Sequence, residues 1–255
     1  MPRLRCGVCT RARIGDRRST RPGRDRDTHN HAAASSGAAR PGADRDAAGL
    51  LYCGGMQNPG LRNVVERFAP SWEHWQVQVI VSIAGESVQE YREIAEHLEG
   101  LSGVAAIEIP LYGYSVVPVD EAGRVIDAVR RACQLPIIAK IGLSGIELAS
   151  LVATINSAGA DALSISAGVV GMASDPADGV LREGQLCGPA LRPLALTAAV
   201  QACAASQLPV IAGGGISGAE DAEAFLHLGA SAISIGSALV RDPRTAATIH
   251  HKLVG

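Results

Sequence analysis

The sequence predicts an α/β protein of (β/α)8, TIM-barrel-like architecture, with about six recognisable βα units. Three observations predict it. Short β-branched runs alternate with helical patterns through residues 51–255. Most of those runs are apolar almost without a break, as strands covered on both faces must be. The last two end in glycines, at Gly213, Gly214 and Gly215 and then at Gly236. A repeated β-then-α order demands parallel strands joined by right-handed crossovers. Six such units fit a barrel better than an open doubly wound sheet.

The strand expectations, in order, are 77–84 (VQVIVSIA), 105–111 (AAIEIPL), 136–142 (PIIAKIG), 162–167 (ALSISA), 209–215 (PVIAGGG) and 232–238 (AISIGSA). The helix over Ser87–Leu98 opens with Ser87 and Glu90 at capping-box spacing. Further helices are expected over Asp120–Cys133, Ile146–Ala158, Ala190–Ala205, Ala219–Leu228 and Asp242–Val254, two of them stopping near Gly159 and Gly229. Trp72, Trp75 and Phe68 form the main aromatic cluster, read as a packing patch.

Composition bounds the function. The 255 residues are 47% apolar and 3% aromatic, so a full core is available and small residues do much of the packing. No run of apolar residues is long enough for a membrane helix, and a secretory signal pattern is missing. Six scattered Cys therefore read as reduced thiols. We expect a cytoplasmic protein that binds a small-molecule substrate, with no nucleic-acid or membrane partner.

Charge is unevenly spread. Residues 1–50 carry eleven Arg and five Asp, a balance of +6, whereas 51–255 carry twelve basic and twenty acidic residues, a balance of −8. The first segment has no apolar periodicity, so 1–47 is expected to be disordered, leaving 48–255 as an incomplete barrel. A basic arm for nucleic acid or membrane is the functional alternative. A start codon placed too far upstream in a GC-rich gene is the plainer one. Cys6 and Cys9 form a lone CGVC without a second pair of ligands, so no metal site is expected.

Two features point to a site. Glycines after a strand let the backbone approach an anion, which neighbouring N–H groups and a helix start then satisfy. In (β/α)8 barrels the loops after the last two strands commonly do this. Gly213, Gly214 and Gly215 would form one loop, Gly236 and Ser237 the other. Lys140, one of two lysines, lies inside an apolar strand near its C-terminal end. Such a lysine is costly without a partner. It can serve as a Schiff-base amine or as a cationic clamp on a cofactor. Cys187 reads as a small buried thiol and His227 as a structural helix residue.

At this point the residues resemble a known family. GGMQNPG (54–60), VSIAGESVQEY (81–91), AKIGLSG (139–145), CGPALRPLAL (187–196) and IAGGGISGAEDAEAFLHLGASAISIGSAL (211–239) occur in the order of the class 1 dihydroorotate dehydrogenases. The resemblance covers about 51–255. It implies an FMN-dependent oxidoreductase of pyrimidine biosynthesis, transferring hydride between a CH–CH donor and flavin. It also implies a homo-oligomer, in some relatives with an iron–sulfur/FAD electron-transfer subunit. Carried over by position, Lys140 corresponds to the lysine beside the flavin N1/O2 edge. Gly213, Gly214, Gly215, Gly236 and Ser237 correspond to the phosphate loops, and Gly188 to a further backbone contact.

The substrate site departs from the family pattern. Where the family reads roughly N-I-S-C-P-N, this chain has Pro110, Leu111, Tyr112, Gly113, Tyr114 and Ser115. Gly113 stands at the position of the base, and glycine takes no proton. Pro110, Ser115, Tyr52 and Ala167 stand at positions of amide side chains. Each lost hydrogen-bond partner weakens recognition by roughly 1–3 kcal/mol, so a substrate other than dihydroorotate is expected. Tyr112 and Tyr114, two apart, are the candidate catalytic residues. Two other readings stay open: a non-catalytic flavin- or phosphate-binding relic or gene fragment, and a phosphosugar lyase using a Lys140 Schiff base. The resemblance also calls for two βα units before GGMQNPG that residues 1–50 do not supply, which would leave open sheet edges.

Overall fold

The computed structural model describes residues 10–15 (as backbone), 49–52, 60–111, 118–142, 148–165, 168–175 and 178–254. Its main element is a seven-stranded sheet in the order β1 (Thr10–Gly15), β3 (Val79–Ala84), β4 (Val104–Pro110), β5 (Ile137–Ile141), β6 (Ala162–Ile165), β9 (Val210–Gly213) and β10 (Ala232–Ser234). Every neighbouring pair is parallel. All six expected strands are present. Among the described residues the sheet begins at β1 and ends at β10, with no pairing between them.

One expectation is corrected. Within the segment expected to be disordered, Thr10–Gly15 forms a strand that pairs with Val79–Ala84 over six residues. The rest of 1–47 lies outside the described residues. TRARIG alternates Arg11 and Arg13 with Ala12 and Ile14, a short strand pattern that pairing with Val79–Ala84 completes.

The helices follow their strands. A helical run at 61–72 (α1) includes a wider, π-type stretch at Val64–Phe68. Then come α2 (Val88–Leu98), α3 (Val119–Ala132), α4 (Leu148–Ser157), α5 (Arg192–Ala205), α6 (Ala219–His227), α7 (Ser237–Arg241) and α8 (Thr245–Val254). Ser87 caps α2 as expected: its hydroxyl accepts from the Glu90 N–H at 3.2 Å, while the Glu90 carboxylate accepts from the Glu86 N–H at 2.5 Å. The helix expected over Asp242–Val254 begins three residues later, at Thr245. Asp242 is extended, as a residue before proline prefers, and its carboxylate accepts from the Arg244 N–H at 3.0 Å.

The alternation within the strands separates two faces. Val79, Val81, Ile83, Ile107, Ile109, Ile137, Ala139, Ile141, Leu163, Ile165, Val210 and Ala212 are all buried. Most of them pack with Ile94 and Leu98 of α2, Val125, Ile126 and Val129 of α3, and Leu151 and Ile155 of α4. A second core gathers Leu191, Ala195, Ala199, Ala212, Ile216, Ala222, Phe225 and Ile249 around α5, α6 and α8. Trp72 is buried, but Trp75 and Phe68 are exposed, so the aromatic patch reduces to one anchoring indole.

A second, antiparallel sheet was not foreseen. β2 (Leu50–Tyr52), β8 (Leu181–Cys187) and β7 (Val169–Ser174) lie in that order, with β7 and β8 a hairpin between β6 and α5.

Candidate functional site

The opposite face of the parallel sheet carries the polar side chains. Ser82 pairs with Glu108, Pro110 with Lys140, and Lys140 with Ser164, so these residues share one side of the sheet. Ser82, Glu108, Lys140 and Ser164 are the buried polar and charged residues among those described. The Lys140 ammonium stands 3.5 Å from Glu108 Oε2, with the two side chains 3% and 10% exposed. They are diagonal neighbours, because Glu108 is opposite Ile138, two residues before Lys140. The Ser82 hydroxyl is buried without a hydrogen-bond partner. A buried hydroxyl left unpaired costs free energy.

The glycine loops lie at the C-terminal end of the same sheet. Gly213 ends β9, and a Cβ there would come 2.5 Å from the Ser234 carbonyl of β10. Gly214 and Gly215 follow with φ of 134° and 72°. A Cβ on Gly215 would lie 2.8 Å from the Gly188 carbonyl and 3.1 Å from the Arg192 N. The fold thus brings Gly188 and the triple-glycine loop into contact, although 25 residues of sequence separate Gly188 from Gly213. Gly236 precedes α7, and a Cβ there would meet nothing within 4 Å. Ser237 is the first residue of α7.

Asp221 holds the first loop in shape. Its carboxylate accepts from the Ser217 N–H at 2.9 Å, the Ser217 hydroxyl at 2.7 Å and the Gly218 N–H at 3.2 Å, and it pairs with the Arg192 guanidinium. Burial works against its ionisation, but the Ser217 bonds, the Arg192 charge and the Gly218 N–H together hold it below the ordinary carboxylate value. Burial pushes the Cys187 thiol up while the Lys140 ammonium pulls it back, so the charge on β5 reaches the residue before Gly188.

Lys140, Gly188, Gly213, Gly214, Gly215, Gly236 and Ser237 are therefore all placed at one end of the sheet or on its polar face. Tyr112, Gly113, Tyr114, Ser115 and Ala167 lie outside the described residues. Pro110 is buried directly opposite Lys140, and Tyr52 is half-exposed on β2. Sequence reasoning missed Glu108, Arg192 and Asp221. Glu108 had a usable signal: a single acidic residue inside AAIEIPL is the same anomaly as the lysine in IIAKIG. No group of three or more His, Cys, Asp or Glu suited to a metal occurs among the described residues, and none of their helices is long and apolar enough to cross a membrane.

A family model described as dihydroorotate dehydrogenase matches residues 30–254. A protein of Desulforudis audaxviator named dihydroorotate dehydrogenase B (NAD(+)), catalytic subunit, is 36% identical over 216 residues, spanning 79% of this chain and 70% of its own length. A protein of the same name from Geobacillus kaustophilus is 34% identical over 214 residues, spanning 79% and 68%. Among solved structures, dihydroorotate dehydrogenase from Eimeria tenella in complex with ferulenol superposes with a TM-score of 0.68, covering 84% of this chain and 71% of that one. At 16% identity it speaks to the fold.

Proposed function

Because the chain belongs to the dihydroorotate dehydrogenase family, we propose that it is an FMN-dependent oxidoreductase of that type, acting in the cytoplasm on an altered substrate. The observation that carries the proposal is the joining of one polar sheet face to two glycine loops at its C-terminal end. The residues fit the cofactor. The Gly214–Gly215 turn and the open backbone at Gly236 and Ser237 suit its phosphate. Lys140 and the unpaired Ser82 hydroxyl offer hydrogen-bond donors on the face beside it.

FMN, when bound, supplies a two-electron hydride acceptor. The chain does the rest. Gly188, Gly214 and Gly215 keep side chains out of the phosphate's way. Asp221 and Arg192 keep the loop in its bound shape, so little ordering entropy is lost on binding. Lys140 would hold an ammonium beside the flavin ring, which would favour the negative charge of its reduced form. The ion pair with Glu108 favours the clamp reading of Lys140 over the Schiff-base one.

The substrate differs from dihydroorotate because Gly113 and Pro110 cannot supply the base and the amide that the family pattern has there. Tyr112 and Tyr114 are the proposed acid–base or stacking residues. Gly113 also favours one competing reading, a chain that binds flavin without turnover. Two relatives are named catalytic subunits. By the same reasoning this chain would form a homo-oligomer and hand electrons to a separate iron–sulfur/FAD subunit.

An absorption spectrum of the purified chain, with mass analysis of the released cofactor, tests the proposal. A yellow protein that releases FMN and bleaches with dithionite supports it. Bleaching by dithionite but by none of a panel of CH–CH donors supports the binding-only reading. A folded chain that takes up no added FMN overturns both.

A further inference from the structure

We propose that Glu108 is a positioning residue: its carboxylate fixes the Lys140 ammonium on the polar sheet face and, resting on the FMN reading above, sets how much positive charge a bound flavin ring meets. Four buried polar or charged side chains lie on that face, and Glu108 has no part in the function described so far. Its Oε2 is 3.5 Å from Lys140 Nζ, and both side chains are at least nine-tenths buried. Apolar Ala106 and Ile138 flank it on the same side of the sheet.

Two opposite charges this close and this buried attract strongly and hold one another in place. Nothing else described takes this place. Cys187 lies within the field of Lys140, but burial keeps its thiol protonated, so it carries no counter-charge. Ser82, opposite Glu108 in the register, keeps a hydroxyl without a partner. The carboxylate therefore fixes the ammonium on the central strand of a face that still has hydrogen-bonding capacity to spare.

The electrostatic consequence has a definite sign. A lysine paired with a carboxylate presents less net positive potential than a lysine alone. Removing the negative charge at position 108 raises that potential and stabilises the anionic reduced flavin.

The test uses the full chain with lysine labelled at Nζ by nitrogen-15. Lys140 and Lys252 are the only lysines, so Lys252→Arg assigns the two signals. Without FMN, the Lys140 ammonium is expected to give a signal protected from water exchange at neutral pH. In Glu108→Gln it is lost to exchange, and in Glu108→Asp it is weakened. An unchanged signal in Glu108→Gln overturns the positioning role. With FMN loaded, the flavin midpoint potential moves positive in Glu108→Gln and by a smaller amount in Glu108→Asp. No shift, or a negative one, overturns the tuning role. If the wild-type chain takes up no FMN, the functional reading falls and the tuning role with it, while the ammonium signal still decides the positioning role. Should Glu108→Gln not fold, Glu108→Asp is read in both arms with the same signs.

Discussion

Replacing Lys140 by methionine removes the counter-charge of a carboxylate that is 10% exposed. Leaving one buried charge alone costs roughly 3–5 kcal/mol, whereas replacing both members of such a pair is often close to neutral. Urea unfolding should therefore show Lys140→Met destabilised by about that much, and the Glu108→Gln/Lys140→Met double variant by far less. Gly215 is a second residue with a sharp expectation. At φ of 72°, with the Gly188 carbonyl 2.8 Å from any Cβ, alanine is both strained and crowded. Gly215→Ala should lose about 1–3 kcal/mol in the same measurement, and its uptake of FMN should fall as the Gly188 contact is pushed apart. Lys140 was legible in the sequence because one of two lysines inside an apolar run is conspicuous. Glu108 carried the same signal, an acidic residue inside the apolar run AAIEIPL, but its pairing with a residue 32 positions further on is not visible in the sequence. The contact of Gly188 with Gly215 is likewise a product of folding that spacing alone does not reveal.

At the level of elements, α5 and α6 are joined by the pairing of Arg192 with Asp221, and the pairing has a pH signature. The Asp221 carboxyl is held below its ordinary value, against burial, by Ser217, Arg192 and Gly218. A lowered value means that the folded chain binds this proton less readily than the unfolded chain does. The stability it adds is complete above the unfolded value of about 3.9 and is lost as pH falls through the lower folded value. Asp221→Asn should be less stable than wild type near neutrality. The difference should shrink as acid is added, which thermal melts across a pH series would show. Six of the seven strands of the parallel sheet, with the helices between them, were legible because their apolar runs are long and unbroken; β1 was not. The β7–β8 hairpin was not. VVGMAS and LREGQLC alternate weakly, and the pair is held by mutual hydrogen bonding rather than by an apolar pattern. β10 stops at Ser234, short of the expected 238, because Gly236 and Ser237 already belong to the start of α7.

On the scale of the whole molecule, the parallel sheet has two ends among the described residues, β1 and β10, and the two glycine loops follow its last two strands. A ligand that ties those loops to the polar face would add stability to the C-terminal end of the sheet. At a hundredfold excess over its dissociation constant, a ligand binding the folded chain alone adds about 2.7 kcal/mol. For a chain of this size that is a rise of roughly 5–10 °C in Tm, and FMN should produce it in a thermal melt, whereas riboflavin, which lacks the phosphate, should produce less. The pairing of Arg192 with Asp221 has one more consequence. The guanidinium beside the first loop is already neutralised within the chain, so an incoming anion there is met by peptide dipoles in place of formal charge. Few counter-ions would be displaced on binding, and the affinity of that loop for phosphate should be nearly indifferent to added sodium chloride.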